Sequence, residues 1–158
     1  MNTDFLHEKS FRLDAMMPLI KEQLAKGKNV QFKPKGTSMR PMLRQGVDSV
    51  VLSPLPQGKL KKYDLPLYQR DNGQYVLHRI VAVGDTYTCI GDNQYEYEYG
   101  VRPDQMIGLV TGFYRDQDYH SVTQLSHRMY RSLWHHSRKV RPKLRRLRKV
   151  IRNAIKGE

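Results

Sequence analysis

Between Gly27 and His120 no hydrophobic pattern runs far before a proline, a glycine or an Asn/Asp pair interrupts it. That punctuation leaves little room for long helices and makes short strands the units of any core. Val30 and Phe32 alternate, Val47, Val50, Val51 and Leu52 follow, and further runs cover 75–83, 87–90 and 107–113. Asp71-Asn72-Gly73 separates Leu67-Tyr68 from Tyr75-Val76, a hairpin signal because Asn-Gly accepts positive φ. Segment 52–62 holds Pro54, Pro56 and Gly58 and is expected as a loop or edge, since proline donates nothing to a ladder. Ahead of these runs Leu13, Met16, Met17, Ile20 and Leu24 recur at three- and four-residue spacing before Gly27. That spacing predicts a helix over 13–26, beginning nearer Met17 if Pro18 occupies its first turn. The fold class expected is mainly β: a compact antiparallel β domain over 29–120, an N-terminal helix within 1–28 packed on its core, and a basic amphipathic helical tail over 121–158.

Charge divides the chain at the same boundary. The formal net charge is +13, yet from Ser121 onward eight Arg and four Lys face one Glu, so +11 belongs to the tail and +2 to residues 1–120. The β domain therefore need not act on a polyanion, and the tail needs its own explanation. Leu125, Met129, Leu133 and Trp134 are expected on one face of a first amphipathic piece, and Val140, Leu144, Leu147, Ile151 and Ile155 on one face of a second. Such stripes, flanked by basic residues with a tryptophan nearby, suit an interfacial helix on an anionic membrane surface. The contacts expected there are Trp134, Arg145, Arg146, Arg148, Lys149 and Arg152. The same stripe would also pack on the β domain, and the same charges would serve nucleic acid or an acidic partner. Because the tail holds none of the candidate catalytic residues, its removal is expected to leave a folded β domain.

No stretch approaches the roughly 18 to 20 apolar residues of a membrane-spanning helix, and the N-terminus lacks the layout of a secretory signal. A cytoplasmic protein, peripheral on the inner face of the membrane, is expected. The single Cys89 has no thiol partner for a disulfide or a structural zinc site and is expected as a small buried residue; no cofactor or metal is expected.

Three short constellations carry possible chemistry: Gly36-Thr37-Ser38-Met39-Arg40-Pro41, then His78-Arg79-Ile80, then Gly91-Asp92-Asn93. Each alone is ordinary turn or strand chemistry. Together they supply a hydroxyl, an imidazole and a carboxylate. A serine hydroxyl needs an adjacent base to remove its proton, histidine is largely neutral at pH 7, and a carboxylate can fix the tautomer of the ring.

The runs GTSMRPMLRQGVDSVVL, KKYDLPLYQRDNGQYVLHRIVAV, CIGDNQ and VRPDQMIGLV, in this order over about residues 34–112, resemble the peptidase core of the signal peptidase I superfamily, which includes LexA-type self-cleaving repressors. The resemblance implies that Ser38 is the nucleophile. It implies that His78, followed by Arg79, is the base, as in the histidine-type signal peptidases of archaea and the endoplasmic reticulum, and that Asp92 contributes a carboxylate. Gly36 stands where signal peptidases carry an oxyanion-binding serine, so the oxyanion would rest on backbone N–H groups, most simply that of Ser38. The second downstream aspartate of the histidine type has no direct match in 95–99, where Glu96 and Glu98 are the available carboxylates. The membrane anchor of signal peptidases and the helix-turn-helix domain of the repressors are not matched.

The function expected is a serine endopeptidase acting on an extended segment, with Val47 and Val50 among the residues available to line its pockets. The competing expectation is a non-catalytic binding module of the same fold that docks on a membrane or polyanion through its tail. Lys59, Lys61 and Lys62 raise a lysine base as an alternative, but their polar Pro/Gly-rich setting suits solvated side chains. His135-His136 lacks a companion ligand cluster for a metal.

Overall fold

The protein, seen in a computed structural model, is described over residues 13–143 and at Ile151. It is mainly β, with antiparallel sheets and a few helices. The elements are α1 (Leu13–Ala25), β1 (Val30–Phe32), β2 (Ser49–Ser53), β3 (Pro66–Gln69), β4 (Tyr75–Leu77), β5 (Arg79–Val83), β6 (Tyr87–Ile90), β7 (Glu98–Val101), β8 (Met106–Arg115), β9 (Asp118–Ser121) and α2 (Leu125–His136). One sheet runs in the order β1-β2-β8-β3-β4, with β9 also on β8; the other is β5-β6-β7.

Strand β8 organises the larger sheet because its ten residues serve several partners. Met106, Gly108 and Leu109 pair with β3, Leu109 through Tyr114 pair with β2, and Gly112 through Arg115 pair with β9. The β8–β9 turn is made by Asp116 and Gln117, both at positive φ, a geometry the sequence does not advertise because neither is glycine or asparagine. The Asp71-Asn72-Gly73 turn does join β3 to β4, with Gly73 at φ 84° and Leu67 opposite Leu77.

Both faces of β3 are covered. Leu67 belongs to a core with Met17, Ile20, Leu24, Val50, Leu52 and Val110, whereas its neighbour Tyr68 faces Ile80, Tyr87, Cys89 and Met106 between the two sheets. Successive strand residues point to opposite faces, so one strand joins two cores. α1 lies on the first of them through Met17, Ile20 and Leu24, each worth about 1.5 to 3 kcal/mol of burial. Its close seat needs Gly108, where an added Cβ would stand 2.8 Å from the Leu52 side chain and 3.0 Å from that of Leu24. Pro18 lies inside α1, which already runs at Leu13, so the later start near Met17 is not taken. The helix ends as expected, at Gly27 with φ 73°, where Lys28 N–H donates to the Gln23 carbonyl at 3.0 Å.

The tail departs furthest from expectation. α2 turns His127 inward and Leu125, Met129 and Leu133 outward, and past its end Arg138 and Arg141 are buried as well. Trp134 is not on the leucine face. The stretch through Arg141 packs on the β domain, where its inner face finds hydrogen-bond partners. Arg145, Arg146, Arg148, Lys149 and Arg152 lie outside the described residues. Among the described residues no helix is long and apolar enough to cross a membrane.

Candidate active site

The run expected as one strand over 75–83 is broken at His78, where the chain leaves β4 in one sheet and enters β5 in the other. This break puts the imidazole at the seam between the sheets, only 2% exposed. Its Nδ1 lies 2.7 Å from Oε1 of Glu98, the first residue of β7. Glu98 also accepts from Tyr68 Oη at 2.9 Å, from Arg70 Nε at 2.9 Å, and from a terminal nitrogen of Arg70. Tyr68 Oη stands 3.4 Å from His78 Nδ1 as well. Burial works against ionising Glu98, but the hydrogen bonds from His78, Arg70 and Tyr68 outweigh it and hold the carboxyl well below the usual range. An ionised Glu98 accepts a hydrogen bond from Nδ1–H, which fixes the tautomer whose free lone pair is on Nε2.

Ser38 and His78 face one cleft of about 220 Å³, together with Met39, Leu43, Leu77 and Gln94. The structure thus brings the two expected residues to one site, without a hydrogen bond between the Ser38 hydroxyl and the ring among the described residues. Gly36, at φ 95°, starts the turn that presents Ser38. Behind that turn Asp48, fully buried, accepts from Arg44 N–H and Nε, each at 2.9 Å, and thereby closes the loop that follows Ser38.

Asp92 does not orient His78. Its two carboxylate oxygens accept from Arg79 Nε and Nη2, each at 2.9 Å, and Tyr130 Oη donates to Oδ2 at 3.1 Å. Asp92 and Arg79 are 1% and 2% exposed, so neither charge has water to fall back on. The physical reason is the break between β4 and β5: His78 stands at the seam, and Arg79, the first residue of β5, takes the Asp92 carboxylate. Burial disfavours the Asp92 charge, but Arg79 overrides it and the carboxyl sits below its ordinary value. The neighbours of Asp92 reach the Ser38 backbone. In its turn Asn93 N–H donates to the Ser38 carbonyl at 2.7 Å, and Gly91 is so close that an added Cβ would stand 2.7 Å from that same oxygen.

α2 holds this turn from behind. Trp134 Nε1 donates to the Asp92 carbonyl at 2.7 Å, Arg138 donates to the carbonyls of Gly91 and Gln94, and Arg141 donates to the Asp92 carbonyl at 3.2 Å. The Tyr130 and Trp134 rings stack, and the Arg141 guanidinium lies 3.8 Å from the Trp134 centroid. Trp134 is therefore a buried-side anchor, and its expected place on a membrane surface is not found.

Other expectations are answered around the site. Lys59, Lys61 and Lys62 are exposed and line no part of the cleft, and Lys59 donates to the Gly84 carbonyl at 3.0 Å. Val50 is buried in the core and Val47 is exposed elsewhere, so neither lines the cleft. Glu96 is exposed. Cys89 is fully buried, and desolvation, with the nearby Glu98 charge, pushes its thiol up to about 12. A larger cleft of about 540 Å³ beside Lys21, Leu55, Asp104 and Ile107 shares Arg70 with the site, but its lining includes no Ser, Cys or His. The residues missed from sequence are Tyr68, Arg70 and Tyr130. The available signal for Glu98 was the Tyr/Glu alternation over 95–99, of whose two carboxylates Glu98 is the less exposed. No protein-family model matches the chain, and no curated protein matches it.

Proposed function

We propose that the protein is a signal-peptidase-like serine endopeptidase, with Ser38 as nucleophile, His78 as general base and Glu98 as the carboxylate that orients it. The observation that carries this reading is the pairing of Ser38 and His78 in one cleft, with Nδ1 of the ring engaged by Glu98 at 2.7 Å. His78 Nε2 takes the Ser38 proton as Oγ attacks a peptide carbonyl, and the imidazolium formed is stabilised by the ionised Glu98. The Ser38 N–H donates to the oxyanion. Collapse expels the amine, which leaves with the proton from His78. Water then attacks the acyl ester with His78 again as base, releasing the acid and restoring Ser38. The serine–imidazole hydrogen bond forms as substrate fills the cleft, since such bonds are often loose without it.

An extended substrate suits the surroundings. β4 is the end strand of its sheet and its residues Tyr75, Val76 and Leu77 line the cleft, so a peptide can add along this edge and pair through its main chain. Buried Met39, Leu43 and Leu77 offer a small apolar floor, which favours small or apolar side chains next to the scissile bond.

The test is a fluorophosphonate probe with mapping of the modified peptide. The expected label is on Ser38 in the wild type, lost in Ser38→Ala and in His78→Ala. A label elsewhere, or none on folded protein, removes the enzyme reading. Peptide binding without acylation would assign the cleft to the non-catalytic module.

A further inference from the structure

A helix lying on a domain ordinarily buries its leucines and shows its charges to water. α2 is inverted. Its inner face, His127, Tyr130 and Trp134, is committed to the β domain, whereas Leu125, Met129 and Leu133, one turn apart along the opposite face, are 69%, 56% and 68% exposed. Val140, after the 3-10 turn Ser137–Lys139, is 52% exposed. Exposed Arg128, Lys139 and Lys143 accompany this stripe. The chain beyond residue 143 adds Arg145, Arg146, Arg148, Lys149, Arg152 and Lys156 with Glu158 as its single acid.

We infer that this outer face of α2 docks the protein on an anionic bilayer, with Leu125, Met129, Leu133 and Val140 entering the headgroup boundary and the basic residues meeting lipid phosphates and carboxylates. The choice of occupant follows from charge and apolarity together. A second copy would cover the stripe only by bringing two tails of +11 each against one another. Nucleic acid would take the charge but offers nothing to four apolar side chains. An anionic lipid surface accepts both, because apolar burial and charge attraction add. Trp134 takes no part in the contact, since its ring and N–H are already held against the Asp92 turn. The inference does not depend on the peptidase reading.

The experiment is co-sedimentation of the full chain with phosphatidylcholine–phosphatidylserine vesicles and with phosphatidylcholine alone, at low and high salt, alongside sedimentation velocity without lipid. Binding is expected to the anionic vesicles only and to weaken as salt rises. The triple variant Leu125→Ser, Met129→Ser, Leu133→Ser is expected to lose at least about tenfold in partitioning with unchanged Tm, because these side chains face solvent. Met129→Glu alone gives a second, milder test in the same direction should the triple variant fold poorly. Emission from Trp134, the single tryptophan, is expected to stay put on vesicle addition. Three results overturn the inference: wild-type protein that ignores anionic vesicles, stripe variants that bind as well as wild type, or a lipid-free dimer that the same substitutions dissociate.

Discussion

Two carboxylates, Glu98 and Asp92, lie six positions apart in sequence and have separate tasks. Glu98 accepts from His78, Arg70 and Tyr68 beside the cleft, while Asp92 is sealed with Arg79 behind the Ser38 turn. Glu98→Gln should therefore lower turnover by about 10²-fold or more, because the amide no longer stabilises the imidazolium, with only a small fall in Tm. Asp92→Asn should do the reverse at first sight, costing about 3 to 5 kcal/mol of stability by leaving Arg79 buried without its counter-charge. Comparing probe reactivity with unfolding free energy for both variants checks the division; an Asp92→Asn protein of wild-type stability would remove the anchoring role. His127 gives a pH signature. Burial, helped by the Arg79 charge, lowers its pKa from the ordinary 6.5 to about 4. Between those values the unfolded chain binds a proton that the folded one refuses, so stability falls as pH drops from about 6.5 to about 4. Denaturant titrations of wild type and His127→Gln should differ in that window by on the order of 2 kcal/mol, with the variant losing less. Parallel pH profiles would place the acid sensitivity elsewhere.

At the scale of elements, α2 and the residues just after it hold the turn that contacts the Ser38 backbone. The Gly91–Gln94 turn grips the Ser38 backbone from one side and is gripped by Trp134, Arg138 and Arg141 from the other. Removing residues 122–158 should consequently abolish probe labelling at Ser38 and lower stability by about 3 kcal/mol or more, since the buried Asp92–Arg79 pair would lose its cover. Removing only 144–158 should leave both unchanged, as every contact of the tail with this turn comes from residues up to Arg141 among those described. Labelling and unfolding of the two truncations separate these outcomes, and full reactivity in the shorter protein would show that the turn stands without the helix.

In the whole molecule, the β5-β6-β7 sheet and a helix meet at one buried junction. Arg79 lies on β5, Asp92 follows β6, and Tyr130 and Trp134 are on α2, so loosening any one exposes charge from the others. One cooperative transition is expected. Trp134 reports the packing of α2 and far-UV circular dichroism reports the sheets, so their thermal unfolding curves should coincide. A tryptophan transition that precedes the loss of sheet by several degrees would mean that α2 detaches as a separate unit.

Local pattern decided much of this. The three- and four-residue spacing of Met17, Ile20 and Leu24 suffices for α1, and Asn72-Gly73 suffices for the β3–β4 turn, because both depend on neighbours in the chain. Ser38 and His78 were legible as a hydroxyl and an imidazole, and the structure places them in one cleft. Which carboxylate serves the imidazole was not legible, since the break in the strand at His78 sends it and Arg79 to different partners, a consequence of two sheets crossing rather than of spacing. The tail shows the same limit. Its periodicity specified a helix with two faces, but left open whether the leucine stripe meets a membrane or packs on the β domain. Only the tertiary structure offered the carbonyls of the Gly91–Gln94 turn and the carboxylate of Asp92, and hydrogen bonds to those acceptors hold Tyr130, Trp134, Arg138 and Arg141 inward.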